Sequence, residues 1–235
     1  MAVTGPEVGE GPFLVIPVKP FAGAKQRLAA RLSGPSRRLV SRALATHVLA
    51  CAAAAWPCSR LVVVGDDRDT SALCARLGVC LLPDAGAGQS AAVEVGQAWC
   101  LARGAQTLVT IPADLPWLET ADVESLAAVA AEAPARSLVA FPDRAGTGTN
   151  GVVVRPADAQ VFHFGPDSLA RHREAASRLG LDFSVGHLDH LAWDLDRYED
   201  LEPSQAPAGH PLLAWARQVA ELERAAASSS APPGG

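Results

Sequence analysis

Short apolar runs alternate with longer amphipathic segments along the first 140 residues of the chain. The runs that predict buried strands are 13–18, 61–64, 79–82, 107–111 and 137–141. The segments with helical spacing of apolar residues are 35–55, 69–77, 89–103 and 120–132. Because strands and helices alternate in this order, the chain predicts an α/β fold with a mostly parallel, doubly wound sheet.

The second half of the chain contains shorter elements, which suggest a β-rich part appended to the same domain. They are a sixth strand at 151–154, a helix at 165–179, short strands at 182–188 and 192–195, and a last helix at 211–225. Residues 1–12 are polar and rich in Gly and Pro, and residues 226–235 contain only Ala, Ser, Pro and Gly. We therefore expect a flexible N-terminus, a single domain over residues 13–225 and a disordered tail.

Composition and charge exclude several classes of protein. The chain has 235 residues and a net charge of −5, so a basic nucleic-acid footprint is not expected. No apolar run reaches the roughly 18 residues of a membrane helix, and residues 1–12 do not resemble a secretory signal. The five cysteines form no C-x-x-C pair, which predicts reduced thiols in a cytoplasmic protein.

The two lysines are placed unevenly in a chain that otherwise prefers arginine. The chain has 18 Arg and 2 Lys, and both Lys19 and Lys25 fall in the loop after the first predicted strand. A compact ammonium suits some phosphate sites better than a planar guanidinium does. The clustering therefore points to phosphate chemistry in this loop.

Open α/β sheets bind ligands outside the carboxyl ends of their strands, so polar residues directly after the strands are the candidate site. These residues are Lys19, Lys25, Asp66, Asp67, Asp84, Asp114, Asp143, Thr147, Thr149 and Asn150. Lysines can take phosphate oxygens, and carboxylates can hold a hard cation. The mixture therefore predicts a phosphorylated ligand bound together with a divalent metal.

A D-x-D pair, Asp194 and Asp196, occurs late in the chain. In an extended segment both side chains point to the same side, so with Asp114 they can form a three-carboxylate site for magnesium or manganese. The alternative is that Asp196 caps a short helix beginning at Arg197.

Other motifs are less specific. Gly165 to Ser168 resembles a helix N-terminus that can bind a carboxylate or phosphate, or an ordinary helix start. The loop around Thr149 can approach a ligand or form a hairpin turn. His172 follows Ser168 by one helical turn and can face the same ligand. The chain lacks a P-loop, a G-x-G-x-x-G after the first strand and a G-x-S-x-G elbow, so the corresponding classes of enzyme are not favoured.

Taken in order, these motifs resemble those of 2-phospho-L-lactate guanylyltransferases and their phosphoenolpyruvate-using bacterial relatives. The matching segments are PVK at 17–19, AK at 24–25, PADLP at 112–116, GTN at 148–150, FGPDS at 164–168 with His172, and DLD at 194–196. The resemblance implies a three-layer, Rossmann-like nucleotidyltransferase fold, similar to that of molybdenum-cofactor guanylyltransferase.

The resemblance also implies a reaction. GTP and a three-carbon phospho-acid give a guanylylated phospho-acid and pyrophosphate, and the product enters assembly of coenzyme F-420. Its implied partners are GTP, a small phospho-acid and a downstream F-420 transferase that receives a labile product. A substrate phosphate attacks the α-phosphorus in line, so positioning and charge neutralisation replace a dedicated general base.

Residue roles carried over from the resemblance complete the predicted site. Lys19 and Lys25 contact phosphates as catalytic and nucleotide-binding residues, with Asp84 and Gly88 also on the nucleotide side. Asp114, Asp194 and Asp196 hold Mg²⁺ or Mn²⁺, Asp114 being catalytic as well. The residues implied to hold the phospho-acid are Thr149, Gly165 and Ser168.

Some alternatives stay open at the level of sequence. Gln89 and Ser90 stand where the family usually has Leu-Asn, which leaves the strictness for guanine undecided. The acceptor is phosphoenolpyruvate, 2-phospho-L-lactate or 3-phospho-D-glycerate, and the Ala- and Arg-rich composition favours the first. A sugar-nucleotide-dependent glycosyltransferase and a non-catalytic nucleotide-binding protein are the competing hypotheses, since a D-x-D also serves the former.

Overall fold

A seven-stranded sheet lies between two layers of helices in the computed structural model, which describes residues 11–21, 24–201 and 211–229. The strands are β1 (Phe13–Pro17), β2 (Leu61–Val64), β3 (Cys80–Leu82), β4 (Leu108–Thr110), β5 (Ser137–Pro142), β6 (Thr149–Arg155) and β7 (Asp182–Val185). The α-helices are α1 (Gly34–Ala55), α2 (Arg68–Leu77), α3 (Gln89–Leu101), α4 (Thr120–Glu132), α5 (Ser168–Leu179) and α6 (Pro211–Ser229). This architecture confirms the predicted α/β class.

The strand order is β3-β2-β1-β4-β6-β5-β7, and β6 is the one strand of this sheet that runs antiparallel to its neighbours. The second half of the chain thus extends the same sheet. Because β6 is reversed, its first residue lies at the edge where β1 and β4 end. Thr149, at the start of β6, is therefore brought to the carboxyl ends of the parallel strands.

Two predicted strands differ from the structure. The strand predicted at 182–188 ends at Val185, and the strand predicted at 192–195 does not form. Segment 192–195 crosses the end of the sheet, where the N–H of Arg144 donates to the carbonyl of Ala192 and the N–H of Leu195 donates to that of Asp114. These bonds join two different parts of the chain, so no β-ladder develops, and the apolar pattern instead reflects the burial of Leu195.

The sheet residues alternate between two helical layers. Leu14 and Ile16 of β1 pack toward α1, α2 and α4, whereas Phe13 and Val15 pack toward α3 and α5. A Cβ at Gly96 would collide with Val15, so this glycine permits the close approach of α3 to β1. That packing fixes where the N-terminus of α3 meets the end of the sheet.

A third, smaller buried cluster joins α6 to the rest of the domain. Its members are Leu28, Leu32, Val40, Leu44, Leu195, Ala216 and Ala220. The Glu223 carboxylate accepts hydrogen bonds from the backbone N–H and hydroxyl of Ser33 and from the hydroxyl of Ser36. The helix continues to Ser229, so residues 226–229, predicted to belong to the tail, are helical. Residues 1–10 and 230–235 of the predicted terminal segments lie outside the described residues.

The cysteines and the helices bear on the predictions made from composition. Cys51, Cys58, Cys74, Cys80 and Cys100 are free thiols. Burial raises the pKa of Cys74 to about 11 and that of Cys100 to about 12. Among the described residues, no helix has the length and apolar character needed to cross a bilayer.

Candidate active site

A cavity of about 450 Å³ opens at the carboxyl ends of β1 and β4. Eight of the ten predicted site residues line it, namely Lys19, Lys25, Asp84, Gly88, Asp114, Thr149, Asp194 and Asp196. They come from five separate parts of the sequence, and the sheet topology brings them together. The volume lies within the range of ordinary small-ligand sites.

Lys25 occupies the centre of the charged part of the cavity. Its backbone has left-handed angles (φ 56°, ψ 42°), and only 6 % of its side chain is exposed. Its Nζ lies 2.5 Å from Asp114 Oδ2 and 3.2 Å from Asp196 Oδ1. Burial alone lowers the pKa of Lys25, but the two carboxylates outweigh burial and raise it. Lys25 is therefore held as a cation despite its burial.

The two aspartates of the D-x-D pair have opposite electrostatic environments. Burial, followed by repulsion from Asp114 and Asp196, raises the pKa of Asp194 to about 6. Its Oδ1 accepts a hydrogen bond of 3.3 Å from the Asn150 amide. Burial also acts to raise the pKa of Asp196, but Lys25 and Arg27 outweigh it and lower that pKa overall. Asp194 is thus a partly buried carboxylate that forms no ion pair among the described residues, although Lys25 partly offsets the rise in its pKa.

Asp196 does not cap the short helix, which was the alternative role considered for it. Asp200 Oδ2 accepts hydrogen bonds from the backbone N–H groups of Asp196 and Arg197, at 2.9 and 2.7 Å. Asp196 directs its carboxylate to Lys25 and to the exposed Arg27 instead. Asp200 instead bonds back to two N–H groups that precede its short helix, and both carboxylates of the D-x-D pair line the cavity.

The three predicted metal ligands line one cavity, but their carboxylates are not grouped around a common metal position. Within residues 11–21, 24–201 and 211–229, no three His, Cys, Asp or Glu side chains are grouped as metal ligands. The ammonium of Lys25 lies where Asp114 and Asp196 approach each other. The donor set nevertheless fits a hard cation, because three carboxylates line one cavity and two of them repel Asp194.

Another part of the cavity lining comes from the turn after β3 and the start of α3. Asp84 Oδ1 accepts the N–H of Gly86, and Gly88 precedes α3 with a φ of 97°. Free N–H groups at the start of this helix favour negative charge. Gln89 also lines the cavity, and Ser90 Oγ accepts the N–H of Phe164 at 3.0 Å.

Two predicted ligand residues do not line the cavity. Ser168 is buried behind Thr149, whose Oγ1 accepts the Ser168 hydroxyl at 3.1 Å. Gly165 lies in the turn before α5 with a φ of 111°. His172 is fully buried and contacts Thr149 through Nδ1 at 3.1 Å, so it does share a helix face with Ser168.

Several polar residues that follow strands have structural roles outside the cavity. Asp67 caps α2 and also accepts the N–H of Phe21, and Asp143 Oδ1 accepts the N–H groups of Thr147 and Gly148. The loop before Thr149 is thus a hairpin turn between β5 and β6, as one of the two interpretations of that loop predicted.

Gln89 and Asn150 line the cavity although the sequence assigned no ligand to either, and His172, placed by the sequence one helical turn after Ser168, contacts Thr149. Gln89 follows the turn after β3 directly, so its position at a helix start was visible in the sequence. The bond from Asn150 to Asp194 depends on a segment far away in sequence, and no local pattern indicates it.

Solved structures with the same architecture support the assignment of the fold. A protein of Desulfovibrio desulfuricans G20, provisionally assigned as a nucleotide-diphospho-sugar transferase, aligns with a TM-score of 0.68 at 15% identity over 91% of this chain and 97% of that one. The glucosyl-3-phosphoglycerate synthase of Mycobacterium tuberculosis, complexed with Mn²⁺, UDP and phosphoglyceric acid, aligns with a TM-score of 0.54 at 16% identity, covering 97% and 82%. At these identities the likeness concerns the fold alone.

Sequence comparisons are more specific. Residues 13–203 match the family described as "Guanylyl transferase CofC like". The phosphoenolpyruvate guanylyltransferase of Sphaerobacter thermophilus is 36% identical over 83% of this chain and 94% of its own. That of Rubrobacter xylanophilus is 39% identical over 84% and 95%. The chain therefore belongs to the CofC-like guanylyltransferase family.

Proposed function

We propose that this protein transfers GMP from GTP to phosphoenolpyruvate and releases pyrophosphate, in the assembly of coenzyme F-420. The observation on which the proposal chiefly depends is the cavity in which Lys25 lies between Asp114 and Asp196. The relatives named phosphoenolpyruvate guanylyltransferase support the choice of acceptor.

The chemistry needs no protein nucleophile. A phosphate oxygen of phosphoenolpyruvate attacks the α-phosphorus of GTP and forms a new P–O bond. The bond between the α-phosphorus and the bridging oxygen to the β-phosphorus breaks, and pyrophosphate leaves with its electron pair. Because the attacking phosphate is already ionised near neutral pH, no general base is required. The work of the protein is to position the two anions and to offset their repulsion.

Lys25 and Lys19 supply cationic groups for this purpose. Lys25 is rigidly held, with 6 % of its side chain exposed, whereas Lys19 lines the mouth of the same cavity and is exposed. We assign Lys25 to the phosphates at the reacting centre and Lys19 to the triphosphate. Asp84 and Gly88, with the N-terminus of α3, form the nucleotide side.

Asp114, Asp194 and Asp196 are the residues that would hold Mg²⁺, or Mn²⁺ in its place. The raised pKa of Asp194 supports this assignment, because a carboxylate repelled by two others is stabilised when a cation joins them. A divalent cation held there would supply positive charge to offset the negative charge of the phosphates.

Thr149 forms the acceptor side of the cavity, and Ser168 supports it from behind. We assign the phospho-acid to this side of the cavity. We also assign to it Gly165 and the start of α5, which follow Thr149 in the sequence. The five free thiols suit a reducing cytoplasm. A labile guanylylated product also calls for a downstream F-420 transferase as a partner.

Product identification tests the proposal. The purified protein is incubated with GTP, MgCl₂ and phosphoenolpyruvate, and the product mass is expected to equal GMP joined to phosphoenolpyruvate through a pyrophosphate linkage. Parallel reactions supply UDP-glucose with 3-phospho-D-glycerate. Sugar transfer without any guanylylated product would instead make the protein a glycosyltransferase. Nucleotide binding without product in either reaction would favour a non-catalytic role.

A further inference from the structure

A buried chain of hydrogen bonds reaches the cavity wall from behind. The backbone N–H of His163 donates to His172 Nε2 at 3.1 Å, and His172 Nδ1 lies 3.1 Å from Thr149 Oγ1. The Ser168 hydroxyl donates to the same Thr149 oxygen at 3.1 Å. Of the four residues joined by these hydrogen bonds, Thr149 is the one that lines the cavity.

The backbone determines the tautomer of His172. A backbone N–H can only donate, so His172 Nε2 must be the unprotonated nitrogen. A neutral imidazole then carries its proton on Nδ1 and donates it to Thr149 Oγ1. The ring is fully buried and packs edge-on against Phe164 at a centroid distance of 5.1 Å, so its orientation is fixed. Burial lowers the pKa of His172 to about 4, which keeps it neutral at physiological pH.

The direction of the Thr149 hydroxyl follows from these two donors. Its oxygen accepts from His172 Nδ1 and from Ser168, which uses both of its acceptor positions. With Ser168 as the donor of their shared bond, the hydroxyl proton of Thr149 is the remaining group, and the described residues offer it no other hydrogen-bond acceptor. Thr149 lines the cavity, so a ligand bound there is the partner that we assign to this proton.

We propose that His172 is a positioning residue that, together with Ser168, commits the Thr149 hydroxyl to donate its proton to an anionic oxygen of the phospho-acid. The inference rests on the proposed function for the identity of that ligand. Phosphate and carboxylate oxygens accept hydrogen bonds and, once ionised, donate none. A hydroxyl held as a donor therefore matches the substrate, whereas one turned inward would present a lone pair and repel it.

Two amide substitutions of His172 separate its two nitrogens. His172→Asn places an amide nitrogen near the position of Nδ1 and preserves a donor to Thr149. His172→Gln places an amide oxygen near Nε2, preserves acceptance from His163 and removes the donor to Thr149. We expect His172→Gln to raise the KM for phosphoenolpyruvate by about tenfold or more, with the KM for GTP changed by less than about twofold. His172→Asn is expected to retain the larger part of the affinity for phosphoenolpyruvate.

A double-mutant cycle tests whether His172 acts through Thr149. Thr149→Val removes the hydroxyl, and on that background His172→Gln should have no further effect on the KM for phosphoenolpyruvate. Melting temperatures of all variants record any loss of folding separately. Equal effects of His172→Gln with and without the Thr149 hydroxyl, or equal KM values for the Asn and Gln variants, would overturn the proposal.

The tautomer can be measured without any turnover. Long-range ¹⁵N–¹H spectra of the ¹⁵N-histidine-labelled protein, with His172 assigned from the signals that disappear in His172→Gln, should show protonation at Nδ1. Protonation at Nε2 would overturn the inference whatever the activity. A wild-type protein that has the Nδ1 tautomer but forms no product from GTP and phosphoenolpyruvate would refute the proposed function and its ligand, and would leave the donation from His172 to Thr149 established.

Discussion

Leu195 and Leu28 are fully buried in the same small apolar cluster. Leu28 lies close in sequence to a cation of the cavity, and Leu195 lies between two of its carboxylates. Leu28 follows Lys25 by three positions, and Leu195 separates the two carboxylates of the D-x-D pair. Helix α6 closes this cluster through Ala216 and Ala220. One apolar cluster thus sets the distance between the cationic and the anionic parts of the site.

Leu195→Ala should damage both stability and catalysis. Removing a fully buried leucine side chain costs about 2–5 kcal/mol of unfolding free energy, measurable by urea denaturation. Because Asp194 and Asp196 lose their common anchor, we also expect kcat/KM to fall by roughly tenfold to a hundredfold at a temperature where the variant is folded. Leu222→Ala is the matched control, since this α6 side chain is 64% exposed. Undiminished kcat/KM in a folded Leu195→Ala protein would show that the cluster does not position the carboxylates.

Lys25 is expected to be specifically required, so that another cation of different shape does not replace it. We expect both Lys25→Met and Lys25→Arg to lose on the order of a hundredfold in kcat/KM, because a buried, planar guanidinium does not fit between Asp114 and Asp196. Arg27→Ala removes an exposed cation from the same Asp196 and should change kcat/KM by no more than about threefold. Full activity of Lys25→Arg would mean that only the charge matters there.

Binding of Mn²⁺ by the three carboxylates can be followed directly from the electron paramagnetic resonance of the free ion. Asp194→Asn should weaken Mn²⁺ binding in the presence of GTP by about tenfold or more, because one anionic oxygen donor is lost. Asp66→Asn changes an exposed carboxylate outside the cavity and should leave the titration unaltered. A chelator is expected to abolish pyrophosphate release. Equal Mn²⁺ affinities for the two variants would show that Asp194 is not a metal ligand.

His172 should make the protein less stable in mild acid. Its pKa is about 4 in the folded state and near its ordinary value of 6.5 after unfolding, so the unfolded chain binds the extra proton between these values. The unfolding free energy should therefore fall as pH drops, by about 2 kcal/mol at pH 5 from this group alone. The raised pKa of Asp194 acts in the opposite direction, so the comparison must be made with His172→Asn. Identical pH dependence of unfolding in the two proteins would contradict the burial of a neutral imidazole.

The alternation of strands and helices could be predicted because buried strands and amphipathic helices have distinct periodicities. The same pattern predicted which loops meet at one edge, and Lys25, Asp84 and Asp114 do line one cavity there. The rule that ligands bind at the carboxyl ends of parallel strands was sufficient to predict these three residues, because β1 to β4 run in one direction.

What escaped prediction depends on pairings between distant residues. The insertion of β6 between β4 and β5 is set by long-range ladders that no local pattern shows. The apolar pattern around Leu195 resembles that of a strand. It arises because this one leucine packs beneath a segment without regular secondary structure. The occupation of the space between Asp114 and Asp196 by Lys25 depends on the fold as a whole.

Pyrophosphate release is the most direct test of the guanylyltransferase assignment. The purified protein is supplied with GTP and Mg²⁺, in separate reactions with phosphoenolpyruvate, 2-phospho-L-lactate, 3-phospho-D-glycerate or no phospho-acid. We predict release that requires a phospho-acid and is fastest with phosphoenolpyruvate. Absence of release with all three acceptors, or the same rate without any acceptor, would contradict the transfer of GMP to a phospho-acid.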